Sequence, residues 1–274
     1  MNKRIFCETK DLNDRVVEDP MRIYVPPDSI FPEKNIIEIR DTGELHHMRD
    51  VVRLRQGMDI NVFDGRGNEY SGEIKKLTRD FAVVAIKSKI ENKDHFPFKL
   101  TLYQAIPKKN KMDLIVEKAV ELGVDTIVPI ITERTVHASK AGHWKERWGR
   151  IAKAASKQCG RAKLAAIVEP MDFRDALIES NRSELVEASD SSPTHHLVIF
   201  AALDKYAKPL KDILRAHVTG RVSVFVGPEG DFSQGEISMA EENNYSICSL
   251  GPFIFRVETA AIYILSCLDY EYNK

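Results

Sequence analysis

Residues 225–231 read FVGPEGD. The stretch follows the apolar Val222, Val224, Phe225 and Val226 and precedes an amphipathic run, Phe232 to Ala240. An apolar strand, then two glycines and a proline, then a helical pattern make a strand–turn–helix unit. A phosphate-cradling turn carries glycines with a lysine and a serine or threonine. This one carries Glu229 and Asp231 instead, which repel an anion. The loop suits something other than phosphate.

A second loop of the same kind follows. SLGPFIFRVETA (249–260) also sets Gly-Pro directly after an apolar strand, at Gly251-Pro252 as at Gly227-Pro228. Glycine lets a ligand approach the backbone, and proline stiffens the turn. Either loop alone reads equally well as a tight connection. Two together, both with acids and one opening a helix with RVET, favour a binding site. In an open parallel sheet, ligands bind just beyond the carboxyl ends of the strands.

Working outward, the C-terminal two-thirds alternates strand and helix. Strands are predicted at Lys99–Ile106, Thr126–Ile131, Leu164–Val168, His196–Ala201, Arg221–Val226 and Ser246–Leu250. Helices are predicted at Lys111–Leu122, Trp144–Cys159, Phe173–Ser180, Pro209–His217, Ser233–Asn243 and Arg256–Tyr270. That alternation implies a parallel sheet covered on both faces. The polar stretch 180–196 reads as an exposed loop. The first ninety or so residues differ. Arg4–Cys7, Ile36–Ile39, Asp59–Phe63, Glu69–Lys76 and Phe81–Ile90 are β-rich, DGRGN (64–68) supplies a hairpin turn, and one helix is predicted at Gly43–Leu54. Such strands suggest a small barrel, and residues 91–98 a linker. The expected domains are 1–92 and 97–274.

The chain has 274 residues and a net charge of −1, with ample length for a core in each part. The longest apolar run, Thr259 to Leu268, falls short of the roughly 20 residues that span a bilayer. The N-terminus turns acidic before a signal-peptide core forms, so no membrane and a cytoplasmic location are expected. Cys7, Cys159, Cys248 and Cys267 are widely spaced, which gives no zinc pattern and suggests reduced thiols. No metal is expected: His46-His47 is adjacent rather than spaced by a helical turn, and no HExxH occurs. The P-loop, GxGxxG and GxSxG patterns are missing too.

The near-neutral charge hides a basic segment. Ser139 to Lys163 holds eight basic residues and one acid, Glu146. Arg147, Arg150, Lys153, Lys157 and Arg161 fall at helical spacings that form one face. A basic face is commonly a solvated surface, but aligned like charges repel unless a polyanion neutralises them. The segment therefore reads as a nucleic-acid contact, with PKKNK (107–111) and RDVVRLR (49–55) adding cations.

Several segments together resemble a known family. QAIPKKNKMDLIVEKAVELGVDTIVPIITERTV (104–136), RWGRIAKAASKQCGR (147–161), VGPEGDFSQGEI (226–237) and LGPFIFRVETA (250–260) resemble the RsmE family of 16S ribosomal RNA uridine-N3 methyltransferases. ELHHMRDVVRLRQGMDINVFDGRGNEY (44–70) resembles its small RNA-binding barrel. The resemblance implies a PUA-like β-barrel followed by a SPOUT α/β trefoil-knot domain, a homodimer, and a 16S rRNA or small-ribosomal-subunit substrate. It implies S-adenosyl-L-methionine held by Ala201, Val226, Gly227, Pro228, Glu229, Gly230, Leu250, Gly251, Ile254 and Phe255. RNA binding would fall to Arg4, Arg53, Lys108, Arg150, Lys153, Lys157 and Arg161. Two positions depart from the family pattern: Asp231 stands where GPEGG has its last glycine, and Phe253 and Phe255 replace an arginine and a leucine of LGxRILRxETA.

Methylation of uridine N3 needs removal of an imide proton and stabilisation of charge on the uracil oxygens. Arg256 is the expected stabiliser, because guanidinium offers planar donors and stays charged. Glu258 is the expected base, with Glu229 second; the competing role for Glu258 is to favour the dipole of the last helix. Two other readings stand beside this one: a related knotted enzyme with another product, such as 2′-O-methylated ribose, and a non-catalytic RNA-binding assembly protein.

Overall fold

Strand and helix do alternate from residue 98 onward, and the period-two pattern of each strand decides which side of the sheet its residues cover. The structure is a computed structural model and describes residues 20–92, 96–135, 143–186, 196–215 and 220–273. The predicted strand Arg4–Cys7, with Arg4 and Cys7 themselves, lies outside the described residues, as does most of the polar stretch 180–196.

Contacts group the chain into two units. One comprises Val62 and the described residues before it, with Tyr70–Lys89; the other comprises Phe63–Glu69 and everything from Ile90. The first unit is a six-stranded sheet. Its strands are β1 (Met21–Tyr24), β2 (Ile30–Phe31), β3 (Ile36–Ile39), β4 (Asp59–Phe63), β5 (Glu69–Leu77) and β6 (Ala82–Ile90), in the order β1-β4-β5-β6-β3-β2. Ile23, Ile37, Ile39, Ile60, Val62, Ile74 and Val84 fill its core. The sequence showed no sign of β1 or β2, which are short and flank Pro26 and Pro27. The helix expected at Gly43–Leu54 is shorter. Helix α1 (Thr42–His46), capped by the Asp41 side chain on Glu44 N at 2.8 Å, runs into one π-helical turn at His47–Val51. The chain then leaves through Arg53 at φ 61°.

The second unit is an eight-stranded sheet whose pairings are all parallel. Its strands are β7 (Phe98–Ala105), β8 (Thr126–Ile131), β9 (Ala166–Ile167), β10 (Met171–Asp172), β11 (His196–Ala201), β12 (Lys208–Pro209), β13 (Gly220–Val226) and β14 (Ser246–Ser249). The order is β10-β8-β7-β13-β11-β14-β12, with β9 paired to β8. Among the described residues six helices accompany them, five between strands and the last after β14: α2 (Lys111–Glu121), α3 (Trp144–Cys159), α4 (Phe173–Val186), α5 (Leu210–Leu214), α6 (Gln234–Glu242) and α7 (Val257–Tyr272).

Alternation sorts the core into two layers. Leu100, Leu102, Val222, Val224 and Val226 join α2, α3, α5 and α7 on one face. Tyr103, Phe200 and Phe225 join α4 and α6 on the other, where Tyr103 stacks on Phe225 at 4.3 Å and Phe200 meets Phe232 at 4.2 Å. The apolar stripe of α7 is consumed here. Val257, Ala261, Ile264, Leu265 and Leu268 are all buried within the chain, so the stripe is core and not a free interface.

Candidate active site

The strands β11, β13 and β14 are neighbours, and their carboxyl ends open into one cleft of about 310 Å³. The two Gly-Pro loops meet there, although 24 positions separate Gly227 from Gly251 in the chain. Of the residues expected from the sequence, Ala201, Val226, Gly227, Pro228, Glu229, Leu250, Gly251, Ile254, Phe255 and Arg256 line the cleft. Gly230 and Glu258 do not. Ala202, Leu203, Cys248, Phe253, Val257 and Ala260 complete the apolar lining, and Lys111 and Asp231 add charge.

The two glycines serve different needs. A Cβ on Gly227 would sit 3.1 Å from the ring of buried Phe232, so this glycine admits the ring against the strand end. Gly251 adopts φ +122°, a region closed to residues with a Cβ. The first loop is also braced from outside. Arg134 Nη1 donates to Gly230 O at 2.7 Å and Phe232 O at 3.2 Å. Ser233 caps α6 in a reciprocal pair with Glu236, and Glu236 Oε1 also accepts from Glu133 N at 2.9 Å.

Asp231 explains its own departure from the family pattern. It sits at φ 59°, in the left-handed region where glycine is at ease and aspartate is tolerated. Its side chain uses the position: one oxygen accepts from Leu203 N at 2.8 Å and the other from Phe232 N at 2.8 Å. The loop after β13 is thereby tied to the loop after β11 across the cleft mouth.

Glu229 turns toward the start of α2. It accepts from Lys108 N at 3.1 Å and lies 3.2 Å from Lys111 Nζ. The same ammonium is 3.2 Å from the buried Glu258 Oε2. Burial pushes the Glu229 carboxyl up, but hydrogen bonds from the backbone and Lys111 outweigh it, and its pKa lies below the usual carboxylate range. Burial pulls Lys111 down, the two carboxylates overcome it, and its pKa lies above that of an ordinary lysine. Cys248, at the cleft floor, has its thiol pushed up to about 12 by burial, so it stays neutral. Sequence reasoning counted Lys111 only as one cation of PKKNK. Its place as the first residue of a predicted helix was the signal available. Arg134 gave no signal of its own.

The expected RNA contacts are scattered. Arg53 is exposed in the first unit, and Lys108 is exposed beside the cleft. On α3, Arg150 is exposed while Lys153 and Lys157 are half-buried. The five-cation face is shorter than the spacing suggested. α3 ends at Cys159 with Gly160 in the left-handed conformation, and Arg161 turns inward to donate to Val120 O at 3.0 Å and Val124 O at 2.7 Å. The guanidinium thus ties the turn after α3 to the end of α2 and the loop that follows it. Arg147 pairs with Asp113. His46 lies against Asp50 at 2.7 Å and His196 against Ser223 at 2.9 Å; among the described residues no group of His, Cys, Asp or Glu is placed to hold a metal ion. Nor is any described helix long and apolar enough to cross a membrane.

A parallel α/β sheet with this cleft, preceded by a small β unit, fits the class of RNA methyltransferases that carry a PUA domain. The family model for an RNA methyltransferase domain matches residues 94–269, and that for an RNA methyltransferase PUA domain matches 39–87. The chain belongs to the ribosomal RNA small subunit methyltransferase E family. The Aquifex aeolicus member is 33% identical over 85% of this chain and 94% of its own. The Bacillus subtilis member is 28% identical over 84% of this chain and 89% of its own. The Neisseria gonorrhoeae enzyme, solved with S-adenosyl methionine bound, is 26% identical, aligns over 92% of this chain and 98% of its own, and has a TM-score of 0.78.

Proposed function

We propose that this chain transfers a methyl group from S-adenosyl-L-methionine to N3 of a uridine in 16S rRNA of the small ribosomal subunit. The observation that carries the reading is the cleft itself, where both Gly-Pro loops converge at the carboxyl ends of β11, β13 and β14. Apolar walls suit an adenine ring, and carboxylates at one end suit a sulfonium and an ammonium group. Neither would suit a nucleotide phosphate. The bound donor supplies an electrophilic methyl group.

The chain's own residues supply position and charge. Ala201, Val226, Gly227, Pro228, Glu229, Gly230, Leu250, Gly251, Ile254 and Phe255 form the donor loops. Arg256, exposed at the N-cap of α7, meets the uracil oxygens as N3 loses its proton and they take up negative charge. Glu258 is the candidate for that proton. A second role for it is favoured by its direction: it lies in the first turn of α7 and faces Lys111 rather than the cleft. A Glu258→Gln variant decides between them. Turnover falling about a hundredfold or more with donor affinity kept identifies the base, and turnover within a few-fold of wild type identifies the anchor.

Arg4, Arg53, Lys108, Arg150, Lys153, Lys157 and Arg161 remain the RNA set, with Arg161 contributing through the turn it stabilises. Arg53 gains support from its exposed left-handed conformation, uncommon for a long side chain. The reading takes residues 1–92 as the RNA-binding domain and 97–274 as the catalytic domain, in a cytoplasmic homodimer. The test incubates the protein and donor with small subunits lacking uridine-N3 methylation, then analyses digested nucleosides by mass spectrometry. 3-Methyluridine is the expected product. Another methylated nucleoside would move the reading to a different acceptor atom, and no product with no donor binding would end it.

A further inference from the structure

We propose that Lys111 is a positioning residue that locks the donor loop and the catalytic turn into one arrangement. The proposal rests on the function proposed above. Three chain segments far apart in sequence meet at its ammonium: the start of α2, the loop after β13 through Glu229, and the first turn of α7 through Glu258. Lys111 also lines the cleft, as do Glu229 on one loop and Arg256 beside Glu258 on the other. Its side chain is 28% exposed, against 26% for Glu229 and 16% for Glu258, so the three charges are partly withdrawn from water.

Two carboxylates at 3.2 Å from one cation tolerate each other only because the cation stands between them. Removing it leaves like charges facing across a partly desolvated gap, one of them the buried Glu258 oxygen without a hydrogen bond. The cheapest relief is for the two segments to move apart. Glu229 retains Lys108 N as a partner, so its loop keeps one anchor. The carboxylate of Glu258 has no such alternative among the described contacts. Loss of Lys111 should therefore disturb the turn carrying Arg256 as well as the donor loop. Loss of the Glu229 charge should disturb the donor loop more than that turn.

Three variants of the full chain test this: Lys111→Met, Lys111→Arg and Glu229→Gln, with the Lys111→Met/Glu229→Gln double variant. S-Adenosylmethionine affinity is measured by calorimetry, and KM and kcat with small subunits lacking the modification. Lys111→Met should weaken donor binding and lower kcat, each about tenfold or more, because small displacements at a reacting centre are costly. Lys111→Arg, which keeps the charge, should recover both to within about threefold. Glu229→Gln should raise donor KM by more than it lowers kcat, and its effect should shrink in the Lys111→Met background.

Wild-type behaviour in Lys111→Met overturns the proposal. So does Lys111→Arg performing no better than Lys111→Met, or effects of Lys111 and Glu229 that simply multiply. If Lys111→Met fails to fold, the Lys111→Arg and Glu229→Gln arms stand in: a kcat loss in Glu229→Gln equal to its affinity loss would overturn the division of roles. A wild-type chain that binds no donor overturns the underlying function and this proposal together, whereas normal wild-type turnover with an indifferent Lys111 overturns this proposal alone.

Discussion

Asp231 shows how one residue can break a family pattern and keep the geometry the pattern exists for. Its backbone stays in the left-handed region that a glycine would occupy, and its carboxylate adds two hydrogen bonds, to Leu203 N and Phe232 N. Alanine there would keep the strain and lose both bonds. Asp231→Ala should cost about 1–3 kcal/mol and lower the melting temperature by several degrees, with weaker donor binding. Asp231→Gly relieves the strain and loses only the tether, so it should melt closer to wild type while still binding donor less tightly. Calorimetric melting and titration of the two variants separate strain from tether. A Gly variant with wild-type affinity would mean the Leu203 bond does not shape the cleft. The sequence marked Asp231 as a departure but gave no reason for it, because φ and a partner 28 residues away are tertiary facts. Lys111 offered only its place at a helix start, and a lysine there is ordinary until two distant glutamates arrive on it. Arg256 was legible because it opens a helix directly after a Gly-Pro loop.

At the scale of elements, the regular parts followed from periodicity. Strands Thr126–Ile131 and His196–Ala201 and helix Trp144–Cys159 stand where apolar alternation and helical spacing put them. The irregular parts did not. β1 and β2 are too short to show alternation, and the helix begun at Thr42 gives way to a π-helical turn that helical spacing alone does not distinguish. The basic face of α3 was half right. Helical spacing correctly gathers Arg150, Lys153 and Lys157, but extending the pattern to Arg161 ignores the left-handed Gly160 that ends the helix. The exposed Arg150 is thus the best single probe of the RNA reading. Arg150→Glu should weaken rRNA binding uniformly across sequences. It should lower the slope of log affinity against log salt by about 1, with donor affinity unchanged. Filter binding across a salt series measures this; an unchanged slope would make the face a solvated surface.

At the scale of the molecule, the distribution of apolar surface bears on assembly. The inward stripe of α7 is fully used by the chain's own core, so a second copy must use other residues. Those available at the cleft are exposed to a degree unusual for their size: Phe253 at 76%, Ile254 at 78% and Leu203 at 64%, with Tyr206 at 73% further along the loop after β11. On α7, Tyr263 and Tyr270 also face outward, and the Phe255 ring meets Tyr263 edge-on at 5.1 Å. Apolar side chains held in water on a rigid loop mark a surface meant to be covered. The departure at Phe253 fits this pattern, since it replaces a charge with an aromatic ring suited to a buried contact. The proposed homodimer is tested at these side chains. Phe253→Asp combined with Ile254→Asp should then shift the protein from dimer to monomer in sedimentation equilibrium, because burying two unpaired carboxylates outweighs a standard interface. The fold should persist, since neither residue packs in a core cluster. Donor affinity should fall in step with dissociation and recover at higher protein concentration if the partner closes the cleft. A double variant that stays dimeric with intact turnover would place the subunit contact elsewhere and leave Phe253 and Ile254 to the substrate.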